Sequence, residues 1–92
     1  MEKDLIELER LTKALANRRR LAILRYLKKY TGVSVTEIAE EIKLSLKATS
    51  KHLGILAASD ILEKDQRGLQ MFYHISNNQR QRPVVKHILS LL

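Results

Sequence analysis

The chain has 92 residues, no cysteine and a formal net charge of +7; 45% of its residues are hydrophobic and 29% are charged. This composition fits one domain over residues 1–92 and excludes a disordered chain, a collagen-like chain, a disulfide framework and a cysteine nucleophile. No apolar run reaches the roughly 20 residues of a membrane span, and the first residues lack the pattern of a secretory signal, so we expect a cytoplasmic protein with no membrane partner.

The first two predicted elements are helices. Apolar residues recur at three- to four-residue spacing in residues 3–16, which is the pattern of an amphipathic helix. Asn17 is suited to cap a second helix that ends before Thr31. The three arginines at 18–20 fall in the first turn of that helix, where its dipole disfavours cations. They either serve a function or pair with acidic residues of the first helix.

Two short helices with a tight turn between them are predicted next, over about residues 34–59. Ser34 and Glu37 have the spacing of a capping box at the start of the third helix. Ser45 is the next good N-cap and starts a fourth helix. Thr49, Leu53 and Leu56 form the apolar stripe of this fourth helix, and the opposite stripe consists of Leu46, Lys47, Ser50, Lys51 and Gly54.

Residues 60–76 change to the alternating pattern of a β-hairpin. We expect residues 61–64 to pair with residues 69–75 through a type I turn at 65–68. A last helix should start near Arg82, because proline at position 83 fits a first helical turn. The apolar sides of the terminal helices, residues 3–16 and 82–92, predict a homodimer; the alternative is that both complete the core of a monomer.

The distribution of charge points to a polyanion as the partner. The net charge is −1 over residues 1–16, +5 over residues 17–76 and +3 over residues 77–92. A helix-turn-helix with lysines on its second helix can enter the major groove of double-stranded DNA, and a basic hairpin follows at the distance of a wing. The predicted DNA-binding residues are Ser45, Leu46, Lys47, Ser50, Lys51, His52, Arg67 and Arg20.

Several motifs together resemble the ArsR/SmtB family of winged-helix repressors. They are LANRRRLAIL at 15–24, VTEIA at 35–39, LS at 44–45, SKHL at 50–53 with Leu56, and Gly68 with FYHI at 72–75. The resemblance covers about residues 5–76. It implies a mostly α winged helix-turn-helix fold of four helices, a small β-hairpin and a fifth helix, dimerising through the first and last helices.

The resemblance also implies a mode of action. Two reading helices would enter successive major grooves of a near-palindromic operator, with the wings on the flanking minor grooves, and repression would follow from occluding a promoter. Leu46 replaces a polar residue that commonly reads bases in the family, although leucine suits a thymine methyl. Asp60 replaces the usual glycine after the reading helix, and aspartate tolerates the left-handed conformation.

Metal sensing is not expected. The family's metal sensors carry cysteines in the third helix, or acids and histidines in the last, whereas this chain has no cysteine and only His87 in its last helix. His52, His74 and His87 fall in three separate elements without the spacing of a ligand set. In the resemblance His52 is the motif histidine, which implies a packing or phosphate-contact role. We expect no metal and no cofactor, and the sequence does not identify an effector.

Three functions remain open at the level of sequence. The leading one is a sequence-specific, homodimeric regulator of transcription that binds double-stranded DNA, most simply as a repressor. The second is a nonspecific architectural or RNA-binding winged helix, and the third is a winged-helix protein-interaction module. An enzyme is not expected, because the sequence has no glycine-rich phosphate loop and no recognisable catalytic motif.

Overall fold

Six helices and three strands make up the part of the chain described by the computed structural model, residues 2–92. The helices are α1 (Glu2–Leu15), α2 (Arg18–Lys29), α3 (Val35–Ile42), α4 (Leu46–Ala58), α5 (Asn77–Arg80) and α6 (Pro83–Ser90). The strands are β1 (Val33–Ser34), β2 (Leu62–Arg67) and β3 (Gln70–Ile75). Met1, the first residue of the predicted domain, lies outside the described residues. None of the helices within residues 2–92 combines the length and the apolar composition that crossing a bilayer requires.

Side-chain caps start the helices at the predicted positions. Asn17 Oδ1 accepts two backbone N–H groups of the first turn of α2, at 2.9 and 3.1 Å. Ser34 Oγ accepts the backbone N–H of Glu37 and donates its own proton to the Glu37 carboxylate, at 3.2 Å in each case. Ser45 Oγ accepts the backbone N–H of Ala48 at 3.1 Å. These bonds satisfy donors that the helix itself leaves unpaired.

Both helices of the helix-turn-helix end in a Schellman motif. A residue in the left-handed conformation follows each helix: Lys43 (φ 56°) after α3 and Asp60 (φ 65°) after α4. The next backbone N–H then donates to a carbonyl inside the helix, at 3.1 Å in α3 and 3.0 Å in α4. Asp60 adopts the conformation expected of it, whereas lysine is rarely found there. The left-handed conformation costs a residue other than glycine about 1–2 kcal/mol, and the hydrogen bonds to the last carbonyls of the helix offset this cost.

The wing is a three-stranded antiparallel sheet in the order β1-β3-β2. Its hairpin turn consists of Gly68 and Leu69, and β2 continues to Arg67, so the predicted type I turn at 65–68 is wrong. Gly68 has φ 63° and occupies the first central position, as a two-residue type II′ turn requires. The positive φ closes the hairpin within two residues and leaves the preceding residues free to pair with β3.

Two short elements were absent from the sequence prediction. β1 consists of residues 33–34 and pairs with β3, and α5 is a single turn started by Ser76, whose Oγ accepts the backbone N–H of Gln79 at 3.5 Å. Both are too short to show a hydrophobic period. The predicted fifth helix is therefore the sixth, and it begins at Pro83, next to the predicted start at Arg82.

The core lies where α2, α3 and α4 meet the sheet and α6. Its largest fully buried apolar side chains are Ile23, Leu24, Leu27, Ile38, Leu53, Leu56, Ile61, Ile75 and Val85. Thr49 is fully buried among them, and its Oγ1 has no hydrogen-bond partner within residues 2–92. A buried hydroxyl without a partner costs about 1–3 kcal/mol.

Replacing Thr49 by valine should therefore stabilise the protein. Thr49→Val keeps the branched shape and removes the unpaired hydroxyl, so we expect the free energy of unfolding to rise by about 1 kcal/mol. Urea denaturation followed by circular dichroism measures the change.

Ser45→Ala is the matched control, since it also deletes one hydroxyl, but one that accepts a helix-capping hydrogen bond. This variant should lose about 1 kcal/mol. A Thr49→Val protein less stable than the parent would show that the Thr49 hydroxyl is satisfied in solution.

Candidate nucleic-acid interface

Helix α4 divides into a buried face and an exposed face. Thr49, Leu53 and Leu56 are fully buried, which confirms the predicted inner stripe. The residues predicted to face DNA lie together on the exposed side: Ser45, Leu46, Lys47, Ser50 and Lys51. Leu46 is 54% exposed although it is apolar. The buried face therefore packs α4 into the core, and the predicted DNA-binding residues of the helix form a continuous exposed surface.

The two lysines of this surface are free to bind an external anion. Helix α4 contains no acidic residue. Among residues 2–92, neither Lys47 nor Lys51 has a carboxylate within 4.0 Å. Exposed cations without an internal partner attract phosphate, and lysine also reaches guanine edges in the major groove.

Arg20 connects α2 with α1 and α4. Its Nε donates to the carbonyl of Ala14 at 2.6 Å, and its Nη2 donates to the carbonyl of Lys13 at 3.1 Å. Its Nη1 lies 3.2 Å from His52 Nδ1. These contacts give Arg20 a positioning role inside the protein, and its predicted DNA contact remains a prediction.

Two further cations of α2 bind carbonyls at the ends of other helices. Arg19 Nη1 donates to the carbonyl of Ile42, the last residue of α3, at 3.3 Å. Lys28 Nζ donates to the carbonyl of Leu89, in the last turn of α6, at 2.9 Å. Carbonyls at a helix C-terminus lack intrahelical donors and carry partial negative charge, so cations suit them.

In the part of the chain that the structure describes, the arginines at 18–20 do not form the ion pairs with acidic residues of the first helix that the sequence left open. Within residues 2–92, no arginine at 18–20 forms a salt bridge with a carboxylate of α1. Arg19 and Arg20 instead bind backbone carbonyls of α3 and α1. Sequence reasoning missed these roles because the partners are backbone atoms, which every residue carries. The available signal was a helix in which six of twelve residues are charged and all six are basic.

His52 is held in its neutral form by its surroundings. The guanidinium of Arg20 can only donate, so His52 Nδ1 accepts and the ring proton lies on Nε2. Burial of the ring lowers the pKa of His52 below its ordinary value, and the charges of Arg20, Arg19 and Lys51 lower it further. His52 is half-buried behind the exposed face of α4, where it fixes the helix to α2; its predicted DNA contact remains a prediction.

The wing presents one arginine and one apolar tip. Arg67 Nε lies 3.2 Å from Asp65 Oδ2, and its guanidinium carbon lies 4.9 Å from the centre of the Phe72 ring. Because the Arg67 side chain is 63% exposed, this ion pair is weak and can exchange Asp65 for a phosphate. Leu69, at the turn, is fully exposed.

The histidines do not converge. His52 lies on α4, His74 on β3 and His87 on α6. His74 Nε2 lies 3.0 Å from Glu63 Oε2 across the hairpin. Within residues 2–92, no three side chains of histidine, cysteine, aspartate or glutamate come close enough to hold a metal ion.

The fold and the site define a winged helix-turn-helix domain, and comparison with known proteins agrees. A family model described as "Helix-turn-helix domain" matches residues 15–65. The transcriptional repressor PagR of Bacillus anthracis is 33% identical over 82 residues, which is 89% of this chain and 77% of PagR. The crystal structure of PagR superposes with a TM-score of 0.78 at 30% identity and covers 99% of this chain and 98% of its own.

Other solved structures have the same architecture. Reduced HlyU from Vibrio cholerae gives a TM-score of 0.79 at 34% identity, covering 100% of this chain and 90% of HlyU. The homodimeric winged helix-turn-helix DNA-binding domain of Mb0332 from Mycobacterium bovis is described as belonging to a possible ArsR-family transcriptional regulator. It superposes with a TM-score of 0.82 at 29% identity and covers 98% of this chain and 78% of its own. The chain belongs to the ArsR family of winged helix-turn-helix transcriptional regulators, which confirms the predicted family and fold class.

Stability should fall in mild acid because of His52. With its pKa lowered in the folded state, His52 takes up a proton more readily in the unfolded chain. Its contribution is therefore complete above the unfolded pKa of about 6.5 and is lost as the pH falls from there through the folded pKa. His52→Asn keeps an acceptor near the Nδ1 position and removes the titration, so the difference in unfolding free energy between parent and variant should shrink or reverse in sign between pH 7 and pH 5.

Urea denaturation at a series of pH values measures both proteins. His87→Asn, at an exposed position on α6, is the control and should keep the pH dependence of the parent. Parallel curves for the parent and His52→Asn would contradict the role assigned to His52.

Proposed function

We propose that the protein is a homodimeric repressor that binds a near-palindromic operator in double-stranded DNA, with one α4 helix from each protomer in successive major grooves. The observation that supports this most directly is the exposed face of α4, with two lysines and two serines beside each other and no acidic residue on the helix. An operator covered in this way excludes the transcription machinery from the promoter. In this proposal the protein has no catalytic activity and acts on DNA in the cytoplasm.

Each predicted site residue receives a role in this proposal. Lys47 and Lys51 bind phosphates or guanine edges, and Ser45 and Ser50 donate to phosphate or base acceptors. Leu46, apolar and exposed at the start of α4, contacts a thymine methyl.

The remaining three predicted residues act around the helix. Arg67 reaches the backbone beside the minor groove from the wing. Arg20 and His52 hold α4 at its angle, because their contact joins α2 to the half-buried side of α4.

The proposed dimer uses α1 and α6. Leu5 and Ile6 in the first half of α1 are 59% and 60% exposed, and Leu91 just after α6 is 70% exposed. Leu8 on α1 and Val84 on α6 are further exposed apolar residues of these two helices. A 92-residue chain gains from covering such side chains with a second copy, and a symmetric dimer places two reading helices for a palindrome.

Replacing Lys51 tests the DNA-binding face. If Lys51 binds a phosphate, Lys51→Ala should weaken all duplexes similarly and reduce the slope of log affinity against log salt by about 0.9. If it reads a base edge, the variant should lose selectivity at one position of the site, by about 1–3 kcal/mol. Selection of bound sequences from random duplexes, followed by fluorescence anisotropy at several salt concentrations, measures both effects.

Lys86→Ala is the matched control, because Lys86 is an exposed lysine outside the helix-turn-helix and the wing. Since α6 belongs to the proposed dimer contact, sedimentation equilibrium verifies that this variant stays dimeric. Parent-like binding by Lys51→Ala would remove Lys51 from the interface. Binding with no preferred sequence would favour the architectural alternative, and stronger binding to single strands the RNA-binding one. Failure to bind nucleic acid at low salt would favour the protein-interaction module.

Charge introduced into the terminal surface should break the dimer. Leu5→Glu and Leu91→Glu each place a carboxylate in the proposed apolar contact, so the dimer dissociation constant should rise by at least about tenfold. Sedimentation equilibrium measures it, and Leu69→Glu, at the exposed tip of the wing, is the control that should stay dimeric. A monomeric parent, or dimers unaffected by both changes, would contradict this interface.

A further inference from the structure

A cleft between α2 and the end of α3 is unused by the proposed DNA contact. It has a volume of about 500 Å³. Arg25, Lys29 and Lys43 contribute three cations to its walls, and Glu41 contributes one carboxylate. The charges of the lining therefore sum to +2, and among residues 2–92 none of its three cations forms a salt bridge with a carboxylate within 4.0 Å.

Two tyrosines give the cleft an aromatic wall. The rings of Tyr26 and Tyr30 lie with their centres 4.9 Å apart at an angle of 43°, and both rings line the cleft. Tyr30 is 54% exposed, which leaves ring surface for stacking. Burial raises the pKa of Tyr26 above its ordinary value, and nearby carboxylates, Glu37 first, raise it further, so its hydroxyl keeps its proton and can donate.

Lys43, the third cation of the cleft, has an unfavourable backbone conformation. Lys43 adopts the left-handed conformation at the turn between α3 and α4, where glycine would be less strained. Residues held in such conformations cluster at ligand sites and switch regions. Here the strained residue lines the cleft and also lies two residues before the cap of α4, so an occupant of the cleft would touch the turn that positions the reading helix.

We propose that this cleft binds a small aromatic anion, with the ring against Tyr30 and the carboxylate or phosphate among Arg25, Lys29 and Lys43. Flat rings stack on tyrosine, and a desolvated anion gains from several convergent donors. Glu41 repels every anion that enters, so the contact of the ring with Tyr30 must add to the contacts of the anionic group. The effect on DNA rests on the function proposed above: an anion beside Lys43 cancels positive charge next to α4 and lowers the affinity for DNA.

Titrations of the free protein test the site without DNA. The probes are salicylate and phenyl phosphate, which carry a ring and an anion, with acetate and benzyl alcohol supplying the anion or the ring alone. In two-dimensional amide NMR spectra, salicylate or phenyl phosphate should shift residues 22–30 and 41–43 to saturation, and acetate and benzyl alcohol should bind at least about tenfold more weakly. The stronger of the two ring-bearing anions identifies carboxylate or phosphate as the preferred group.

Two variants assign the binding to the cleft. Lys29→Gln and Tyr30→Ala should each weaken the better probe by about threefold to tenfold, whereas Lys86→Gln on α6 should bind like the parent. Three results would overturn the site: shifts that do not saturate by about 10 mM, shifts centred on other residues, or binding of the probe by both variants as tightly as by the parent.

DNA binding with and without the probe tests the coupling. The saturating probe should weaken operator binding by the parent several-fold, and Lys29→Gln should need about threefold to tenfold more probe for the same effect. Unchanged DNA affinity of the saturated parent would overturn the coupling. A parent that binds the probe and no DNA would refute the proposed function and leave the cleft standing, so the two failures are distinguishable.

Discussion

The orientation of the helices depends on cations of α2 that bind backbone carbonyls at the C-termini of three other helices. Arg20 binds the end of α1, Arg19 the end of α3 and Lys28 the last turn of α6. Two arginines near the start of a helix oppose its dipole by about 0.3–1 kcal/mol each. A hydrogen bond from a charged donor is worth about 1.5–3 kcal/mol where it is shielded from water, so half-buried Arg20 gives a net gain. Arg19 is exposed and gains less.

This arrangement divides the positive charge into two sets. The cations of α2 that face the other helices are occupied by carbonyls, whereas Lys47 and Lys51 on α4 have no internal partner. The contact between Arg20 and neutral His52 links the two sets: Arg20 belongs to the first, and His52 lies on α4, the helix that carries Lys47 and Lys51. Internal cations thus hold α4 in place, and its outer cations stay available to DNA.

Strain is concentrated at the C-terminal ends of the two helices of the helix-turn-helix. Lys43 and Asp60 both adopt the left-handed conformation, and each allows a helix to stop abruptly with its carbonyls satisfied. The abrupt stop after α3 lets Ser45 begin α4 two residues later. After α4, the left-handed conformation of Asp60 redirects the chain so that β2 of the wing begins at Leu62. The relative angle of reading helix and wing therefore depends on two unfavoured backbone conformations that the surrounding packing stabilises.

The sequence by itself determined the features that arise from local chemistry. The caps Asn17, Ser34 and Ser45, the buried stripe of α4 and the family follow from residue types at fixed spacing. The tertiary structure decided the partners of the arginines, the position of the hairpin turn at Gly68, the short elements β1 and α5, and the cleft at Lys43. These features depend on which backbone atoms meet across the fold. Since every residue carries the same carbonyl and amide groups, no pattern of side chains can identify those meetings.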